Sequence, residues 1–264
     1  MKNNEKTLFV FEGAKTENSY IEKLENNFLG PRNAIKCVYG AEIYQLYSIM
    51  KNDNPFPEDI VSLLKERPST NNAEVLKDYD RNSFAYIYLF FDYDAHARFA
   101  NDDKIKEMLS FFDNETEEGK LYISYPMAEA IRHYEDMDSF KNLTVKCKKK
   151  NCPFIDECED KDCLNEPHYK HLSVTGGKLQ LWDTNSYTKN VWQELITAHL
   201  KKANLLVNDV FVLPFLPITQ SSIFEKQLEK HINKKCPEVA VLSALPLYVF
   251  DYYGAIKTIK KICE

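Results

Sequence analysis

The chain has 264 residues and a mass of 30.8 kDa, enough for one large domain or a compact domain with insertions and too little for a multidomain machine. Apolar residues at 44%, charged residues at 28% and 34 aromatics against seven glycines exclude a disordered, collagen-like or repeat chain. The net charge of −6 is uneven: residues 1–143 carry 17 basic and 26 acidic side chains, which excludes nucleic-acid affinity through a broad basic surface on that half.

Thr7 to Phe11 is a short apolar, β-prone run that ends at Glu12-Gly13, which predicts a buried strand breaking into a turn. Thr16 is the N-cap candidate for a helix in which Tyr20, Ile21, Leu24 and Phe28 recur at helical spacing until Gly30-Pro31. A second strand is expected over Ala34 to Tyr39, then a second helix over Glu42 to Met50 with Ile43, Leu46, Tyr47 and Met50 on one face. Residues 52–83, rich in Asn, Pro, Asp and Glu around a short helical segment near Ile60 to Leu64, read as a solvent-exposed insertion. Ala85 to Phe91 is the strongest strand signal. Its apolarity is unbroken, as in a central parallel strand covered on both faces, and it stops at Asp92-Tyr93-Asp94. A helix around Ile105 to Phe112, a strand over Leu121 to Ser124 and a helix opened by Pro126 and carrying Glu129 and His133 continue the alternation. Alternating strands and helices predict an α/β fold, a parallel sheet sandwiched by helices with ligand sites at the carboxyl ends of the strands.

That rule gives the acidic residues their meaning. Glu12 follows the first strand, Asp92 and Asp94 the third, and Glu129 lies just past the fourth, so separate segments bring carboxylates to one edge of one sheet. Asp92 and Asp94, two residues apart in extended chain, should point to one side. A cation is needed to neutralise such a cluster, and hard oxygen ligands select Mg²⁺ or Mn²⁺.

Phe9-Val10-Phe11-Glu12-Gly13 together with Leu89-Phe90-Phe91-Asp92-Tyr93-Asp94 resembles the TOPRIM signature, a glutamate-glycine after the first strand and a DxD after the third. Glu12-Gly13-Ala14-Lys15-Thr16-Glu17 with Tyr20, and Ser124 to Glu129 with His133, further resemble the RloB-like TOPRIM nucleases of bacterial phage-defence systems and the TOPRIM subunit of the PARIS system. The resemblance covers residues 7–135 and implies a Rossmann-like TOPRIM core performing metal-dependent phosphodiester cleavage. In those terms Asp92 and Asp94 hold Mg²⁺, Glu12 binds metal or acts as acid and base, and Glu129 and Glu17 support them. Lys15, beside Glu12, is placed to meet a phosphate oxygen as a point charge. The resemblance also implies DNA or RNA, tRNA included, as substrate, a toxic effector role in anti-phage defence, an ABC-type or AAA-type ATPase partner and a possible homodimer. An acidic half around the site then predicts weak activity until a partner releases or assembles the protein.

Four of seven cysteines fall in Cys147-x4-Cys152-x5-Cys158-x4-Cys163, with His168 and His171 shortly after. No run approaches the ~18 uncharged apolar residues of a membrane span, and the amino terminus lacks a signal-peptide layout, so the expected compartment is the reducing cytoplasm and no membrane partner is expected. There the cluster reads as a structural Zn²⁺ site that supplies stability a segment poor in large apolar residues lacks. Ser186 to Ala203 and Gln220 to Asn233 are amphipathic helices, with Lys201, Lys202, Lys226, Lys230, Lys234 and Lys235 on their polar sides. The expected organisation is a catalytic core over 1–143 with its insertion at 52–83, a cysteine-rich segment over 144–172 and a mainly helical region over 173–264.

Two rival classes share part of this pattern. A haloacid-dehalogenase-type phosphatase also uses DxD, but expects threonine or valine where His96 stands. A noncatalytic TOPRIM module that binds metal or a partner without cutting is disfavoured by intact Glu12, Asp92 and Asp94.

Overall fold

The computed structural model describes residues 5–30, 33–52, 59–67, 70–147, 152 and 168–264. They fall into two compact units, one formed by the chain up to Asp92 with Asn101–Tyr122, the other by Tyr93–Ala100 with Ile123–Glu264. Among the described residues, no helix is long and apolar enough to cross a membrane.

The first unit is an α/β fold built on a mostly parallel five-stranded sheet. Its elements are β1 (Thr7–Phe11), α1 (Thr16–Leu24), β2 (Ala34–Val38), α2 (Ile43–Asn52), α3 (Ile60–Lys65), α4 (Asn72–Val75), β3 (Tyr86–Asp92), α5 (Asp102–Phe111), β4 (Asp113–Asn114) and β5 (Gly119–Ser124), whose last two residues belong to the second unit. The strand order is β2-β1-β3-β5-β4, with β1 parallel to both neighbours and β4 folding back antiparallel on β5. All five residues of β1 are buried, as a strand flanked on both sides requires. Alternation places Phe9, Phe11, Tyr88, Phe90 and Tyr122 in one aromatic layer, with ring centroids 5.4–6.2 Å apart between strands. Such pairs contribute about 0.5–1.5 kcal/mol each beyond the area they bury. Gly119 is required where it stands: its φ is +120°, and a Cβ there would lie 2.7 Å from Leu89 Cδ1.

Two expectations change here. The segment 52–83 is not a solvated insertion over its described part, because Ile60, Val61, Leu63, Leu64 and Leu76 are buried. Asn72 also clips onto the edge of β2, its amide nitrogen donating to Val38 O at 2.7 Å and its oxygen accepting from Val38 N–H at 3.3 Å. Thr16 does not cap α1. Lys15 holds the N-cap position without a side-chain bond, and the turn before it is closed by Glu17, which accepts from Gly13 N–H at 3.1 Å.

The second unit is mainly helical: a single 3₁₀ turn over Ala128–Arg132, then α6 (Met137–Lys141), β6 (Thr144–Lys146), α7 (Tyr169–Thr175), α8 (Lys189–Asn208), α9 (Gln220–Gln227), β7 (Glu238–Ala240) and α10 (Ala244–Cys263). α8 packs along α10, burying Trp192, Leu195, Ile196 and Leu200. β6 and β7 form an antiparallel ladder, Thr144 opposite Ala240 and Lys146 opposite Glu238, so the carboxyl-terminal region is not helical throughout. The helix expected after Pro126 stops after one turn. Lys178 N–H reaches Tyr134 O at 2.9 Å, and the backbone of Gly177 comes so close to Arg132 O that a Cβ would sit 2.2 Å from it, so the chain end that a longer helix needs is already occupied. Lys202, expected on a solvated face, is 3% exposed.

Candidate functional site

In the first unit the carboxyl ends of β1 and β3 stand side by side, because Phe11 is paired with Phe90. Glu12 N–H donates to Phe90 O at 3.0 Å, which extends the ladder one residue past β1. Its side chain then turns toward β3, where Oε2 accepts from Asp92 N–H at 3.1 Å. Asp92, the last residue of β3, is 7% exposed. Glu12 and Asp92 are thereby brought to one sheet edge. Glu17 sits on α1 above the same turn; Gly13 allows its carboxylate to fold over, since a Cβ there would lie 3.1 Å from Glu17 Oε2. Lys15 is exposed in this turn.

Asp94 belongs to the second unit, where it lines a cavity of 240 Å³ together with His96, Met127, Cys147, His168 and Tyr169. His96 Nδ1 lies 3.1 Å from Asp94 Oδ1, without the alignment of a hydrogen bond. Burial raises the Asp94 pKa above the ordinary carboxylate range, opposed by the charges of His96, His168 and Lys170. Glu129 is 3% exposed, with Oε1 3.5 Å from Lys170 Nζ. His133 does not share a helical face with Glu129. Its Nδ1 lies 3.1 Å from the Tyr169 hydroxyl, and burial lowers its pKa to about 4.

The walls of this cavity include residues the sequence singled out for nothing. Tyr169 and Leu172 carry no motif, and His168 is placed by its local role, since as N-cap of α7 its Nδ1 accepts from Lys170 N–H at 3.3 Å. A histidine just ahead of a short apolar-periodic run was the available signal for that cap. Cys147 is buried in the same wall, its N–H donating to Pro237 O at 2.9 Å, and Cys152 is half-buried. Cys158 and Cys163 lie outside the described residues. Among the described residues, no group of three or more His, Cys, Asp or Glu side chains is gathered closely enough to hold a metal ion.

Comparison with family models, with curated proteins and with solved structures returns no match for this chain.

Proposed function

We propose that the chain is a Mg²⁺-dependent or Mn²⁺-dependent nuclease of the TOPRIM type, cleaving phosphodiester bonds in DNA or RNA. The observation that carries this is the Glu12 carboxylate held 3.1 Å from the Asp92 amide at the carboxyl ends of two adjacent parallel strands. This is where an open α/β sheet offers a ligand site.

Glu12 and Asp92 would hold the ion. An all-oxygen pair suits a hard cation, and Mg²⁺ commonly takes one or two carboxylates and completes its shell with water and substrate phosphate, so a pair without a third protein donor fits it. When bound, the metal supplies Lewis acidity toward a phosphoryl oxygen and a lowered pKa for coordinated water. Glu12, fixed by the Asp92 amide, is the residue placed to take or give the proton at the attacking or leaving oxygen. Lys15, exposed three residues along the turn, brings a cation to meet a nonbridging oxygen. Asp94, two residues beyond Asp92, completes the DxD of the resemblance. The cysteine-rich segment is read as a structural zinc site, and the whole as a toxic anti-phage effector controlled by a partner ATPase.

The test incubates purified protein with Mg²⁺ or Mn²⁺ and plasmid, single-stranded DNA or total tRNA, with and without any ATPase that a neighbouring gene encodes. Cleavage by the wild type that disappears in Asp92→Asn, with an unchanged circular dichroism spectrum, is the expected result. Folded wild-type protein that cuts none of these substrates under any condition replaces the nuclease with the noncatalytic module.

A further inference from the structure

The second unit holds another cavity, of 350 Å³, between the end of α6, the carboxyl-terminal half of α8, the π-helical turn that follows α9, and β7. Lys141, Lys202, Lys230 and His231 line it, with Asp209 as the acid on its wall. The volume is at the lower end of the roughly 300–1,000 Å³ of small-molecule sites.

The charges on this wall do not balance. The Lys202 amine donates to the carbonyls of Phe140 at 2.9 Å and Leu143 at 2.6 Å, and lies 4.4 Å from the Phe140 ring centroid. Both partners are neutral oxygens rather than a carboxylate. Asp209 is already engaged, its Oδ1 accepting from Lys230 Nζ at 2.6 Å, and Lys230 also donates to Leu206 O at 2.7 Å. Glu238, on β7, is held by the Thr144 hydroxyl at 2.9 Å and by Lys146 at 3.6 Å. Lys141 directs its cation toward the Phe211 ring, 5.3 Å from the centroid. Removing an ammonium from water without a counter-charge disfavours the charged form, and burial accordingly drives Lys202 well below the ordinary lysine range. The carbonyls alone would account for a lysine that seals the end of α6; they do not account for an open cavity with two more lysines and a histidine on its wall.

We propose that this cavity binds a small phosphate-bearing anion, with Lys141 and Lys230 supplying its counter-charge and the Lys202 amine a hydrogen bond. Glu12, Asp92 and Asp94 are not among its lining residues, so phosphate binding here and cleavage at the sheet edge stand or fall separately.

The experiment titrates the full chain with inorganic phosphate and with pyrophosphate at constant ionic strength, chloride serving as control, and follows heat and the amide resonances of residues 141–144 and 205–209. Saturable binding with shifts confined to those residues is expected, weakened about tenfold in Lys141→Gln and in Lys230→Gln as each loses one charge-assisted contact. Lys202→Met should weaken binding as well; should it fail to fold, the two partly exposed lysines still decide the matter. Binding of only one of the two anions supports the site and identifies its occupant as free phosphate or as a two-phosphate ligand. Absence of saturable binding by both, or unchanged affinity in both Lys141→Gln and Lys230→Gln, overturns it.

Discussion

Glu12 and Glu17 flank the same turn, yet their carboxylates meet different amides, Asp92 N–H in one case and Gly13 N–H in the other. Substituting each by glutamine separates a chemical role from a structural one. Glu12→Gln should lower cleavage by about 100-fold or more, since it removes a charge the metal needs and a proton acceptor. Glu17→Gln keeps an oxygen for Gly13 and should leave cleavage within a few-fold, while Glu17→Ala should cost about 1 kcal/mol of stability through the lost hydrogen bond. Cleavage rates paired with urea melts check both, and equal loss of activity in the two glutamine variants would place Glu17 among the catalytic residues. His133 makes a second prediction at this scale. Its pKa is about 4 in the fold, because burial disfavours the imidazolium, against about 6.5 unfolded. The unfolded chain therefore binds the proton first, so stability is complete above pH 6.5 and falls as pH drops toward 4, by about 3 kcal/mol from this group alone. Urea melts across that range should show the decline, and His133→Gln should flatten it; an identical slope in the variant assigns the acid lability elsewhere, His199 being the other buried histidine whose pKa is lowered.

Among the elements, Asn72 does the work of a missing neighbour strand, offering donor and acceptor to both backbone groups of Val38. Asn72→Ala should destabilise by about 1–3 kcal/mol, because it strips a buried side chain of two bonds and leaves Val38 to water or to nothing. Urea melts give the magnitude, and faster hydrogen exchange at the Val38 amide gives the location; an unaltered exchange rate would show that the clip does not hold the edge. No local pattern could have announced it, since the partners are 34 residues apart. β1 and β3 were legible for the opposite reason: their continuous apolar runs are themselves the consequence of two covered faces. Lys202 is an instructive failure. At seven residues from Leu195 and three from His199 it lies on the buried stripe of α8 by spacing, and its charge argued for the solvated side. Spacing prevailed because the carbonyls at the end of α6 were there to receive the amine.

For the whole chain, the acidic residues past β1 and β3 were readable because strand ends are readable, whereas the wall around Asp94 was not, since it is assembled from residues as distant as Met127, Cys147 and His168. Two predictions belong here. Protein purified without chelator should contain about one zinc per chain, held through Cys147, Cys152, Cys158 and Cys163; elemental analysis that finds none removes the zinc site and leaves the nuclease untouched. The excess of nine acidic side chains over basic ones in residues 1–143 should slow encounter with polyanions. Inducing the gene alone should therefore be tolerated by cells, with killing only when the proposed ATPase partner is co-expressed. Strong killing by the lone wild type, absent in Asp92→Asn, would retain the nuclease and reject the control.

The alternation of the chain between its two units also bears on synthesis. Residues 93–100 leave the ribosome before the last segment of the first unit, yet the rings that cover Tyr93, those of Tyr125 and Phe224, lie 5.6 and 5.8 Å from it and come later. Phe224 is made about 130 residues after Tyr93, roughly 7–25 s later at 5–20 residues per second. Through that interval a nascent chain must carry Tyr93, buried in the finished protein, without its final cover. The Tyr93 ring is open to a chaperone during that window.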